Sequence, residues 1–140
     1  MKSLPTLFLA TAAILALLGM LWGIQMSASH DHTLSPAHGH LNLLGFVSMS
    51  VFGVYYALTP PARDSRLAPV HFVLSTAAVL LLIPGIVLAI RGVTETLAQA
   101  GSVVAVLSMA LFAFVVLRHG VGREVDSRAR ADGPRPHPAQ

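Results

Sequence analysis

Four apolar runs, at residues 4–26, 37–58, 69–90 and 97–117, constrain this chain more than any other feature, because each is nearly free of charge. A helix of about 20 apolar residues crosses a hydrocarbon layer roughly 30 Å thick, and it satisfies every backbone N–H and C=O without water. The expected fold is therefore all-α: an integral membrane four-helix bundle over residues 1–118, followed by a basic disordered tail at 119–140. Composition agrees: of 140 residues, 54% are hydrophobic and 11% charged, with a mean hydropathy of +0.70. That excludes a water-soluble globule. A cleaved signal peptide is the rival reading of the first run, since Ser27-Ala28-Ser29 supplies small residues, but the run exceeds the usual signal core.

The breaks between runs are punctuated. Ser35-Pro36 reads as an N-cap with proline in the first turn, and Thr59-Pro60-Pro61 stops the second run. Pro69 opens the third, with a kink expected at Pro84-Gly85. Lys2, Arg63, Arg66, Arg118 and Arg123 fall on one side of such a bundle and Arg91 on the other. The positive-inside rule then makes both termini cytoplasmic and the protein a multi-pass component of a bacterial inner (cytoplasmic) membrane, with membrane lipid as its surroundings. The formal charge of +3 is explained by orientation, and no nucleic acid partner is expected. Tyr55 and Tyr56 are expected in the inner aromatic belt and Trp22 in the outer one.

There is no cysteine, so thiolate metal sites and covalently attached haem are excluded, and seven histidines remain as ligands. Four cluster as His30-Asp31-His32 and His38-Gly39-His40. Neutral imidazole binds haem iron, copper and zinc. His38 and His40 fall in the first turns of the expected second helix, and Gly39 between them leaves room for a flat macrocycle. Residues two apart on a helix lie about 200° apart, so His38 and His40 cannot share one metal and are placed to serve two neighbours. Asn42, on the side of His38, is a candidate to orient an imidazole or a carboxylate; its alternative role is an interhelical hydrogen bond. His71 and His119 are expected at inner ends, either facing each other or as interfacial residues with a wet edge, and His137 in the tail carries no expected role. Gly19-x-x-x-Gly23, Gly53-x-x-x-Ala57 and Gly101-x-x-x-Ala105 suit close helix packing.

The stretch A37-H-G-H-L-N-L-L-G-F-V-S-M-S-V-F-G-V-Y-Y56, followed by A68-P-V-H-F-V-L, resembles part of subunit I of the haem–copper oxidase and nitric oxide reductase superfamily. Its most specific portion is H-x-H-L-N-L-L-G-F, and the resemblance covers residues 36 to 90. In the large subunits, twelve spans form three arcs of four, and one helix carries an H-x-H pair serving two haems. The resemblance implies that His38 and His40 are that pair. This chain lacks the separate helix of outer-face histidines for copper and a proton channel, so activity as a terminal oxidase by itself is not expected, and whether it is an enzyme stays open.

Residues and resemblance together lead to a b-type haem (haem b) protein for electron transfer or redox sensing, with an unspecified redox partner. Haem would be held by His38 and His40, with Gly39 and Asn42 beside it, between protomers of a homotrimer; a homodimer is the alternative. Two other readings stay open. One is a copper or zinc site built on His30 and His32, and the other a structural accessory subunit without cofactor.

Overall fold

The computed structural model describes residues 3–122, so the expected tail from 123 onward, with Arg123 and His137, lies outside the described residues. Four helices are long and apolar enough to cross a membrane: span one (Leu4–Ser29), span two (Ser35–Leu58), span three (Leu67–Ile90) and span four (Thr96–His119). Each encloses its expected run and extends it by up to three residues at an end. Among the described residues the chain is otherwise turns and one short helical segment, Pro60–Arg63. It is thus an all-helical, multi-pass membrane protein.

Small residues decide how the spans pair. Spans one and two form an antiparallel hairpin in which glycines admit the partner's side chains. A Cβ on Gly53 would lie 3.1 Å from Cβ of Phe8, and one on Gly45 would lie 3.0 Å from Leu15. Spans three and four pack more closely still. A Cβ on Gly85 would stand 2.7 Å from the Ala98 Cα, and one on Gly101 2.7 Å from the Leu82 Cα. Here backbone meets backbone, the approach that small residues permit in membranes. Gly92, at φ +70, makes the turn between these two spans, a conformation that side-chain-bearing residues resist. Span three remains helical through Pro84.

Span two is one helix in outline but three in its hydrogen bonding. It is α-helical over Ser35–His40, a π-helix over Leu41–Ser48 and α-helical again over Met49–Leu58. Nothing in the apolar pattern announces the wider turn. It begins directly after the two histidines, and the Ser48 hydroxyl donates across it to the Leu43 carbonyl at 3.0 Å. π-Segments of this kind recur where a helix is adapted to a function.

The hairpins join through an aromatic knot near one end of the bundle. Phe8, Phe52, Tyr55 and Tyr56 are buried there, with Phe72 and Phe112 packed against them. Both tyrosines are therefore interior, contrary to the expected lipid-facing belt. Each is drawn inward by a hydroxyl partner. Tyr56 is hydrogen-bonded to Nδ1 of His71 at 3.1 Å, and Tyr55 donates to the Gly120 carbonyl at 2.9 Å. A second buried cluster of Leu41, Val79 and Ile83 fills the other half, with Trp22 packed on it.

Candidate functional site

The H-x-H pair sits in the α-helical first turn and a half of span two, opposite the far end of span one. Ser35 is itself the first helical residue rather than the cap, and its hydroxyl donates back to the His32 carbonyl at 2.6 Å. As the spacing requires, the two imidazoles diverge. Their surroundings differ in a way that spacing alone does not reveal.

His38 faces into the protomer. Its ring seats on Gly23, where a Cβ would come within 3.3 Å of its Cε1, and it meets Trp22 edge-on with ring centroids 6.1 Å apart. Asn42, one turn on, fills the matching notch at Gly19. The Asn42 amide donates to the His38 carbonyl at 3.0 Å and to His38 Nε2 at 3.2 Å. Nε2 therefore acts as an acceptor and the proton sits on Nδ1, which is buried without a partner among the described residues. The Gly19-x-x-x-Gly23 pattern thus cradles Asn42 and His38 of the same chain, with Asn42 hydrogen-bonded to the His38 ring.

His40 faces outward and is exposed. Its Nδ1 is hydrogen-bonded to the Pro36 carbonyl at 2.7 Å. A carbonyl can only accept, so Nδ1 carries the proton and Nε2 presents its lone pair away from the helix. Fixing one ring nitrogen on a carbonyl is how proteins orient a metal-ligating imidazole and set its tautomer. Beside it, a Cβ on Gly39 would meet nothing within 4 Å, so that surface is open to a flat ligand.

The remaining histidines are placed differently. His30 ends span one in the left-handed conformation, φ 55, and both it and His32 are exposed. Between them Asp31 Oδ1 accepts the Thr33 amide at 2.9 Å. The Thr33 hydroxyl and amide hold the Asp31 carboxyl below its ordinary range. Among the described residues no three His, Asp or Glu side chains converge as a metal site.

His71 is fully buried, with no wet edge. Its ring lies among Phe8, Phe52 and Tyr56 and stacks on Phe112, with centroids 5.4 Å apart. Nδ1 is paired to Tyr56, while Nε2 is buried without a partner among the described residues. Phe112 precedes His119 by seven residues, about 10 Å along a helix, so His71 lies well inside the end of span four. His119, half-buried, instead borders a cavity with Arg66 and Phe114. This buried His71–Tyr56 pair was missed in the sequence. Its signal was an ionisable residue one turn inside an apolar run, in register with aromatics on three other spans.

Comparison with protein-family models, with curated proteins and with solved structures finds no match to this chain.

Proposed function

We propose that the chain is a membrane b-type haem protein for electron transfer or redox sensing, with Nε2 of His40 as an axial ligand. The observation that carries this reading is the His40–Pro36 hydrogen bond at 2.7 Å on an exposed face, beside the open surface of Gly39. The bond predisposes one nitrogen for ligation, and among the described residues the ring has no other hydrogen-bond partner that competes for it. The H-x-H-L-N-L-L-G-F motif supports the choice of haem over another metal. Iron cycling between Fe(III) and Fe(II) would occur near one membrane surface, with axial imidazoles setting the potential.

Bis-histidine ligation needs a second copy, because His38 points the other way. Two arrangements supply it. In a homodimer, the two His40 rings meet one haem across a twofold axis, and each is used as it stands. In a homotrimer, His40 of one copy and His38 of the next share a haem, so His38 must exchange Asn42 for iron. The Nδ1 of His38, unpartnered among the described residues, supports this second arrangement, since reorientation would relieve it. The orientation that accompanies the proposal has both termini cytoplasmic, from the Lys and Arg asymmetry.

The test is the visible spectrum of the purified full chain together with haem per chain and oligomer mass in detergent. Sharp reduced bands of a six-coordinate b-type haem are expected. One haem per two chains in a dimer, or one per chain in a trimer, distinguishes the arrangements. A colourless protein carrying copper or zinc instead would refute the haem and favour the His30 and His32 site.

A further inference from the structure

Two cavities line up between spans one and three, and they share Trp22 as a common wall. The outer one, about 400 Å³, lies at the surface and is bordered by Gln25, Asp31 and Arg91 as well as Trp22. The inner one, about 370 Å³, runs beneath it and is bordered by Leu15 and Leu18 of span one, Leu41 of span two, and Leu80 and Ile83 of span three. Taken end to end along spans one and three, the two make a groove with charged residues at its mouth and aliphatic ones along its depth. On span three its lining extends from Val79 to Arg91, about 18 Å at 1.5 Å per residue. One leaflet of a hydrocarbon core is roughly 15 Å deep. The groove therefore reaches from a membrane surface to about the midplane and no further.

Its mouth carries both signs of charge. Asp31 and Arg91 are both exposed and do not pair with each other; the ion pair among the described residues is Arg63 with Asp64, on the opposite side of the bundle. Two unneutralised charges of opposite sign across one opening match a ligand that is itself a dipole. Trp22 stands between mouth and depth, the position an indole takes at a lipid interface. The occupant must also end in an apolar chain and enter from the membrane. Each cavity has the volume of a small-molecule site. A second helix, about 10–12 Å across with its side chains, would lie over such a groove rather than within it.

We propose that this groove binds one phospholipid with a phosphoethanolamine headgroup, its ammonium on Asp31, its phosphate on Arg91 and an acyl chain along Leu18, Leu41 and Ile83. The headgroup order follows from the two charges. Phosphatidylethanolamine satisfies both and donates N–H hydrogen bonds to the carboxylate. Phosphatidylcholine keeps the charge but has no N–H, and phosphatidylglycerol has no cation for Asp31. The site makes no use of His40, which faces out of the protomer.

Native mass spectrometry of the full chain, released from detergent with each of the three lipids added, tests this. Preferential retention of phosphatidylethanolamine is expected, falling about fivefold to tenfold in Arg91→Gln and in Asp31→Asn, as loss of a charge-assisted contact implies. Arg91→Lys should keep the preference, and Arg66→Gln, at the other end of the bundle, should not alter it. As a second readout, phosphatidylethanolamine with brominated acyl chains should quench Trp22, the single tryptophan, more than the glycerol lipid does. Equal retention of all three lipids would overturn the proposal. So would Arg91 and Asp31 variants that lower oligomer mass or haem content while lipid retention stays unchanged, because the groove would then hold a second copy or the haem.

Discussion

Replacing the buried pair Tyr56 and His71, singly and together, isolates the interaction that joins the two hairpins. Tyr56→Phe removes a hydroxyl 3.1 Å from His71 Nδ1 without changing the ring's packing on Phe8. Since Nε2 already lacks a partner, the variant leaves both imidazole nitrogens buried and unpaired. Hydrogen bonds between membrane helices measure about 0.6 kcal/mol on average and reach about 1.7. A fully buried orphan belongs at the upper end, so a loss of about 1 kcal/mol is expected. His71→Phe trades one orphan for another: the unpaired Nε2 disappears, but the Tyr56 hydroxyl loses its partner. Its net effect should be near zero, because a phenyl ring suits a cage already made of Phe8, Phe52 and Phe112. The double variant removes every unpaired polar atom of the pair and should be more stable than the parent by about 1 kcal/mol, since replacing both partners by apolar groups carries no desolvation cost. Unfolding in detergent, read as a double-mutant cycle, checks all three. If Tyr56→Phe is neutral and His71→Phe unfolds the protein or strips its haem, Nε2 has a ligand of its own and the reasoning fails.

Three further outcomes follow from other contacts. Gly101→Ala should cost about 1–3 kcal/mol by overpacking against the Leu82 backbone, whereas Gly39→Ala, with open space around it, should leave thermal stability unchanged or raised. The depressed Asp31 pKa means that its contribution to the turn is present above the ordinary carboxylate range and is lost as pH falls through the lower folded value; a loss of hydrogen-exchange protection at the Thr33 amide, taken relative to the intrinsic rate at each pH, only in that acidic window would show it, and pH-independent protection would contradict it. Single cysteines at positions 30 and 130 of this cysteine-free chain should react with an impermeant reagent outside and inside respectively, and labelling of position 130 in intact cells would invert the orientation.

The four spans were legible because an apolar run in lipid has one way to satisfy its backbone, and Thr59-Pro60-Pro61 and Pro69 punctuate it. The divergence of His38 and His40 was legible too, since helix geometry imposes it. Which of them turns inward was not. That depends on Gly19 and Gly23, some twenty residues earlier, whose missing side chains receive Asn42 and His38. The same pattern read as a site for another helix, because a small-residue motif records only that something approaches. Tyr55 and Tyr56 were misplaced for a related reason. An aromatic with a polar tip suits a lipid interface, yet it suits the interior equally when a partner such as His71 or the Gly120 carbonyl waits there. The π-helix over Leu41–Ser48 left no periodic mark, as eight mostly apolar residues match either turn.

The central claim is that His40, held through Nδ1 by the Pro36 carbonyl, ligates haem iron. Haem content and the reduced absorption spectrum of purified His40→Ala, set beside His38→Ala and the parent, test it most directly. The account predicts that the parent shows the bands of a six-coordinate b-type haem and that His40→Ala loses them; His38→Ala keeps them in the dimer and loses them in the trimer. A parent without haem, or a His40→Ala protein that retains the full spectrum, would contradict it.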